Sequence, residues 1–173
     1  MRRVGIVTAL SMLLMALSAS VALATVITTI DPANAPSGTH LQAGAIGCSG
    51  SLAVTCTSFE LAGVGHTNAT VSLTAKYTAN VTCSNKGTNP NNDVEAQATS
   101  FSVNTTFPAT AAKNGRMLVG TASVSPPASP PAGSCPNGNW TAAFAAGSPT
   151  LVSYTYTLTF DGFSGAYITI TGP

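Results

Sequence analysis

Apolar and polar residues alternate along much of this chain, which is the pattern of β-strands with one buried face. From Thr70 to Cys83 every second residue is apolar, and the residues between them mostly carry hydroxyl groups. The apolar positions are Val71, Leu73, Ala75, Tyr77, Ala79, Val81 and Cys83. A second alternating set comprises Val152, Tyr154, Tyr156, Leu158 and Phe160. The pattern predicts two long strands, each apolar on one face and coated with Thr and Ser on the other.

Shorter segments predict the remaining strands and the turns between them. Residues 26–30, 118–124 and 140–144 favour strands through their β-branched and aromatic residues. The pair Asp161-Gly162 is typical of a tight primed turn, which the last strand would follow. The inner face of that strand would consist of Ala166, Ile168 and Ile170. Helical periodicity is not sustained after residue 24, so an all-β fold is predicted.

The alternation changes phase at two places. Leu52, Val54 and Cys56 fall on the opposite face from Phe59 and Leu61, and Val94, Ala96 and Ala98 fall on the opposite face from Phe101 and Val103. A strand cannot bury both sets on one side unless an extra residue or a corner intervenes. A bulge or corner is therefore predicted near residues 57–58 and again near residues 99–100.

Turn-rich segments separate the predicted strands without dividing the chain. Residues 85–93 are polar, and residues 125–134 carry four prolines that favour an extended loop. Neither half has enough strands to close a core by itself. Residues 25–173 are therefore expected to form a single domain, an immunoglobulin-like antiparallel β-sandwich of about seven to nine strands.

Residues 1–24 have the features of a Sec-type signal peptide. Arg2 and Arg3 form a positive start, residues 4–17 are mostly apolar, and Ala22-Leu23-Ala24 matches the small-residue cleavage pattern. The apolar run is too short for a membrane anchor, and no later run is long enough to span a bilayer. The mature protein is therefore expected to be secreted, and to be extracellular or loosely associated with the cell surface.

Four cysteines, Cys48, Cys56, Cys83 and Cys135, fit an oxidising compartment. They allow three connectivities, of which Cys48–Cys56 with Cys83–Cys135 is favoured because neighbours in sequence close the shorter loops. Metal ligation is the weaker alternative, because the chain has no C-x-x-C pair. Two disulfides are therefore predicted, and no metal or other cofactor is expected.

Charge is scarce, since six Lys and Arg and five Asp and Glu make up 6% of the chain. Because Arg2 and Arg3 lie in the signal, the mature chain keeps four basic and five acidic residues. Without a basic stripe, nucleic acids and anionic membranes are excluded as electrostatic partners. The surface is expected to present Thr, Ser, Asn and Gln instead, which favours a cell-wall polymer or a second copy of the chain as partner.

Two motifs carry a resemblance to known proteins. The strand that ends Asn80-Val-Thr-Cys83 and the run Cys135-Pro-Asn-Gly-Asn-Trp140 resemble those of a group of small secreted actinobacterial proteins. The resemblance covers residues 59–160 and implies a bacterial, extracellular β-sandwich. It also implies that Cys83 pairs with Cys135, because both cysteines lie in the recurring motifs. It implies no activity and no catalytic residues.

The chain offers few groups for catalysis. His40 and His66 lie in predicted loops, where a histidine is usually only solvated, and no nucleophile-elbow motif accompanies them. Asp93 and Glu95 would share one side of a strand, where paired carboxylates would suit a glycosidase and the nearby Asn oxygens would suit Ca²⁺. Solvated surface acids are the simpler explanation of this pair. No catalytic or metal-ligating residue is therefore assigned.

Aromatic rings are the other candidate binding groups, because exposed rings can stack on sugars. Trp140 and most of the tyrosines fall on apolar faces and are expected in or near the core. Tyr167 shares the polar face of Thr169 and Thr171, and Phe163 has the same parity beside the turn. Tyr167 and Phe163 are therefore the predicted exposed binding residues.

The leading functional hypothesis is a secreted, non-enzymatic protein with a structural or adhesive role at or near the cell envelope. It depends on the signal segment, the disulfides, the hydroxyl-rich strands and the scarcity of catalytic groups. One alternative is a soluble extracellular binding module for a carbohydrate, a small apolar ligand or a protease. Another is a hydrolase that uses His40 or His66.

Overall fold

The computed structural model describes residues 25–85 and 94–173, apart from the side chains of Val94 and Glu95. The predicted signal peptide lies outside the described residues, as does most of the predicted turn-rich segment that ends with Asp93. No helix in the described ranges is long and apolar enough to span a membrane.

Antiparallel strands make up nearly all of the regular structure in the described ranges. They are β1 (Ile27–Ile30), β2 (His40–Gly44), β3 (Cys48–Gly50), β4 (Val54–Cys56), β5 (Phe59–Ala62), β6 (Ala69–Asn85), β7 (Val94–Ala109), β8 (Arg116–Val119), β9 (Ala122–Val124), β10 (Trp140–Phe144), β11 (Thr150–Phe160) and β12 (Ile168–Gly172). A short 3-10 helix, Pro32–Asn34, follows β1. The predicted all-β antiparallel sandwich is confirmed, but the predicted seven to nine strands are too few.

The large sheet is organised around β6. Its strands follow the order β1-β12-β11-β6, and β7 pairs with the opposite edge of β6 along nearly its whole length. The edge of β6 that faces away from β7 has two partners in succession. It pairs with β11 over residues 69–78 and with β10 over residues 81–85. β11 and β10 therefore lie end to end along one edge of the same strand.

Two three-stranded sheets, β2-β5-β8 and β3-β4-β9, cover the inner face of the large sheet. The main hydrophobic core lies between these layers and contains inner-face residues of all three sheets. Its largest fully buried side chains include Tyr77, Tyr156, Phe160, Leu61, Leu73, Met117, Leu158, Ile168 and Ile170. Alternate residues of the long strands thus supply one wall of the core, as their apolar periodicity predicts.

Three chain segments bend along one line, which we call the corner. β2 and β3 are separated by residues 45–47, β4 and β5 by residues 57–58, and β8 and β9 by residues 120–121. These breaks face one another in the strand register, so each bent segment contributes one strand to each small sheet. The predicted corner at residues 57–58 is confirmed. Two of the bends divide a predicted strand into two, whereas β2 and β3 lie in a segment for which no strand was predicted.

The second predicted phase break, near residues 99–100, is wrong. β7 pairs with β6 over its whole length without a register shift. Phe101 and Val103 are half-buried against the core, whereas Ala96 and Ala98 lie on the exposed face. Because an alanine side chain is small enough to be tolerated on either face, a pattern of alanines does not fix the phase of a strand.

The predicted primed turn at Asp161-Gly162 is also wrong. The N–H of Phe163 donates to the carbonyl oxygen of Phe160 (3.1 Å), and Gly162 adopts a φ of 84°. Type I′ and II′ turns need a positive φ at the first central residue, which here is Asp161. No described residue other than glycine has a positive φ. The chain therefore reaches β12 through the irregular segment 161–167.

Both predicted disulfides are present. Cys48 and Cys56 lie directly opposite each other in the β3–β4 register, with Cα atoms 3.9 Å apart. Cys83 and Cys135, 52 residues apart in sequence, have Cα atoms 5.8 Å apart. The second bond fixes the far part of β6 to the proline-rich loop. There Ala79, Val81 and Cys83 form a second, smaller hydrophobic cluster.

Candidate binding surfaces

The solvent-facing side of the large sheet carries hydroxyl groups in rows that run across the strands. One row, in strand order β1, β12, β11, β6 and β7, is Thr29, Thr169, Thr157, Ser72 and Thr106. The next row in the same order is Ile27, Thr171, Thr155, Thr74 and Asn104. Two shorter rows, across β11, β6 and β7, are Ser153, Lys76 and Ser102, then Thr150, Thr78 and Ser100. We call the surface formed by these four rows the hydroxyl face.

The spacing of the hydroxyl face follows from β-sheet geometry. Adjacent strands lie about 4.8 Å apart, and alternate residues of one strand lie about 6.6 Å apart. Hydroxyl groups that both donate and accept hydrogen bonds therefore repeat in two directions. Lys76 is the single charged side chain among the residues that define this face. The arrangement suits an uncharged ligand whose own hydrogen-bonding groups repeat at regular intervals.

Two adjoining depressions lie at one end of the hydroxyl face. They have volumes of 210 and 360 Å³ and share Thr78 and Ser100. They lie where β6 changes partner from β11 to β10. At this point the N–H of Asn80 donates to Oγ of Ser148 (3.0 Å) in place of a strand partner. Val152, half exposed at an irregularity in β11, lines the larger depression.

A third depression, of 420 Å³, lies between the proline-rich loop and β10. Its lining includes Pro130, Pro131, Cys135, Pro136, Trp140 and Ala142. Trp140 is half-buried and packs against the smaller hydrophobic cluster, as its parity predicts. The ring nevertheless lines a surface depression. Sequence periodicity alone could not show this, because the position of the proline-rich loop depends on the Cys83–Cys135 bond.

The predicted exposure of Tyr167 is wrong. Its side chain is only 4% exposed, and its ring centroid lies 5.6 Å from that of Phe160. Tyr167 precedes β12 in the irregular segment, so strand parity does not determine its direction. Phe163 is half-buried, with its ring centroid 6.4 Å from that of Phe160. The two rings thus flank a core residue and do not form an exposed platform. Burial raises the pKa of the Tyr167 phenol.

The two histidines lie apart from any described cluster of ligating groups. His40 begins β2, and its Nδ1 lies 2.8 Å from the carbonyl oxygen of Gly38. His66 is exposed in the turn before β6. Among the described residues, no group of three or more His, Cys, Asp or Glu could hold a metal ion. The Asp93–Glu95 pair lies outside the residues whose side chains are described.

One ion pair lies on the surface of the small β2-β5-β8 sheet. Arg116 Nη1 lies 3.1 Å from Glu60 Oε1, and both side chains are solvent-accessible. An ion pair of this kind contributes at most about 1 kcal/mol to stability. Because Arg116 and Glu60 satisfy each other's charge, no binding role is assigned to them.

Comparison with protein families, curated proteins and solved structures gives no match to this chain.

Proposed function

We propose that this protein is a secreted, non-enzymatic protein with an adhesive or structural role at or near the cell envelope. In this proposal the hydroxyl face adsorbs an uncharged polymer of the wall. The observation that supports it is the strand register, which aligns hydroxyl side chains of five strands into one continuous row and those of three strands into the row beside it. The two disulfides suit an extracellular location.

The chemistry of the face favours a neutral repeating ligand over a charged one. Each Thr offers a hydroxyl group that donates and accepts, beside a methyl group that packs against the apolar side of a sugar ring. Single contacts of this type are worth about 1 kcal/mol, so useful affinity needs many of them along one ligand. Binding is expected to change little with salt, because few charges take part.

Co-sedimentation with insoluble peptidoglycan, chitin and cellulose tests the proposal. The oxidised protein should pellet saturably with one of these polymers, in low and in high salt. Thr155→Lys places a charge in the middle of the hydroxyl face, and binding should weaken about tenfold, equivalent to about 1.4 kcal/mol. Thr55→Lys is the matched control, since Thr55 is exposed on the small β3-β4-β9 sheet. The proposal would be contradicted if the two variants pelleted equally with the polymer. It would also be contradicted if the wild-type protein pelleted with none of the polymers.

The depression at Trp140 supports a second candidate function, a binding module for a carbohydrate or a small apolar ligand. It combines one aromatic ring with several prolines, which is a largely apolar lining. Trp140 is the only tryptophan of the chain, so its fluorescence reports on this depression alone. A saturable change of this fluorescence with a soluble ligand would favour this function over polymer adsorption.

The hydrolase hypothesis stays a prediction with a direct test. His40 and His66 are its candidate groups, and both are exposed. If an activity is found, the double variant His40→Ala/His66→Ala should abolish it, and full activity of that variant would reject the hypothesis.

A further inference from the structure

The outer edge of the large sheet at β7 has no described strand partner over residues 98–109. β7 hydrogen-bonds to β6 on one side, and no described strand pairs with its other side. The backbone N–H and C=O groups on that side are therefore available to another strand. β7 has 16 residues, whereas the edge strand at the other end of the sheet, β1, has four.

The devices that usually protect a free edge are nearly absent from β7. Proteins shield such edges with charged side chains, prolines, bulges or a covering segment. Residues 96–109 contain no charged residue, and Pro108 is their one proline, close to the end of the strand. The register of β7 with β6 contains no bulge. Apart from Glu95 near its start, the edge is thus uncharged, free of bulges and suited to strand addition.

The side chains of β7 also leave apolar surface to cover. Phe101, Val103 and Phe107 face the core side of the sheet but remain half-buried. On the other face Ser102, Asn104 and their neighbours along β7, Ser100 and Thr106, are exposed and neutral. A strand added beside β7 would cover the apolar side chains further and extend the polar rows.

We propose that β7 pairs antiparallel with β7 of a second copy of this chain, about a two-fold axis. A two-fold arrangement uses the same strand twice, so one neutral edge matches the other without like-charge repulsion. A register centred near Asn104 keeps apolar side chains on one face and brings Phe101 of each copy beside Phe107 of the other. The pairing joins two large sheets into one and places two hydroxyl faces side by side. It does not depend on the proposed polymer binding.

Strand β7 of a second copy is a better partner for this edge than strand β1 of a second copy. Pairing of β7 with β1 of another molecule would use only four residues of β1 and would leave most of β7 free. Such a head-to-tail contact would also generate open chains of molecules, whereas β7–β7 pairing closes at two copies. The expected species is therefore a dimer.

Sedimentation and light scattering of the oxidised protein, over a wide concentration range, test the inference. The wild type should reach twice the mass of one chain. The double variant Ser102→Lys/Asn104→Lys should be monomeric or at least about tenfold weaker in association, since like charges would face each other across the axis. Ser153→Lys/Thr155→Lys is the matched control, with the same added charge on the same face of the interior strand β11. It should remain dimeric.

Each other outcome would overturn the inference. A wild type that stays monomeric at high concentration excludes the pairing. Equal dimerisation of edge variant and control places the contact on another surface, and open-ended assembly excludes a two-fold contact. Circular dichroism of each variant checks that it retains its β-structure. A monomer that still pellets with a polymer would reject the dimer and leave the proposed function intact.

Discussion

Three tyrosines of the main core differ in whether their hydroxyl groups have a hydrogen-bond partner. Tyr77 donates to the carbonyl oxygen of Leu52 (2.8 Å), and Tyr154 donates to that of Cys48 (3.3 Å). These bonds join the large sheet to the segment around β3. Tyr156, in the same core, has a buried hydroxyl with no hydrogen-bond partner among the described residues. Burying an unpaired hydroxyl costs about 1 to 3 kcal/mol.

Removing the unpaired hydroxyl should therefore stabilise the protein. Tyr156→Phe is expected to raise the free energy of unfolding by about 1 kcal/mol, because the ring stays and the uncompensated polar group is lost. Urea unfolding at neutral pH measures the change. Tyr77→Phe is the matched control and should lower the free energy by about 1 kcal/mol, since it breaks a bond to Leu52. A loss of stability in Tyr156→Phe would show that its hydroxyl has a partner.

At the scale of elements, the corner determines how the small sheets form. The N–H of Thr57 donates to the carbonyl oxygen of Gly47 (2.9 Å). Its hydroxyl lies within hydrogen-bonding distance of the carbonyl oxygens of Ala45 and Gly47. One side chain thus holds the break between β4 and β5 against the break between β2 and β3.

Thr57→Val tests the contribution of this hydroxyl, because valine keeps the branched shape and removes the donor. The free energy of unfolding should fall by about 1 kcal/mol. Thr55→Val provides the comparison on the same segment, where the hydroxyl of Thr55 contacts only Ser123 on the surface (3.2 Å). That variant should change stability by less than about 0.5 kcal/mol. Equal effects would mean that the corner does not depend on the Thr57 side chain.

The elements also show which parts of the fold the sequence determines. Large alternating side chains such as Leu73 and Tyr156 fix the long strands and their faces, so these were predictable. The corner at Thr57 was predictable because strongly apolar residues change phase across it. The phase of β7 and the burial of Tyr167 were not, since alanines constrain a face weakly and parity fails outside a regular strand. The rows of the hydroxyl face depend on inter-strand register, which one strand's pattern does not specify.

At the scale of the whole molecule, all four tyrosines of the chain resist ionisation. Burial raises the pKa of Tyr77, Tyr154, Tyr156 and Tyr167 above the ordinary value of about 10, and the effect is largest for Tyr156. The folded chain thus retains phenol protons at a pH at which the unfolded chain has lost them. Because the native state then binds more protons, its free energy of unfolding falls as pH rises.

Stability should therefore be insensitive to these groups below about pH 10 and should decline above it. Urea unfolding at a series of alkaline pH values measures the decline, and the ultraviolet absorbance of phenolate follows ionisation directly. Tyr156→Phe should reduce the slope, since it removes the most strongly shifted group. Phenolate formation near pH 10 without loss of structure would contradict this prediction.

The exchange of partners along β6 divides the molecule into regions of different local stability. Residues 69–78 of β6 lie between the long strands β7 and β11 and above the main core, whereas residues 81–85 lie beside the short strand β10 and pack on the smaller cluster with its disulfide. Regions with fewer buried contacts open more readily than the rest of a protein. Residues 81–85 of β6 and strand β10 are thus expected to open more readily than the strands around the main core, and the Cys83–Cys135 bond limits how far the proline-rich loop moves when they do.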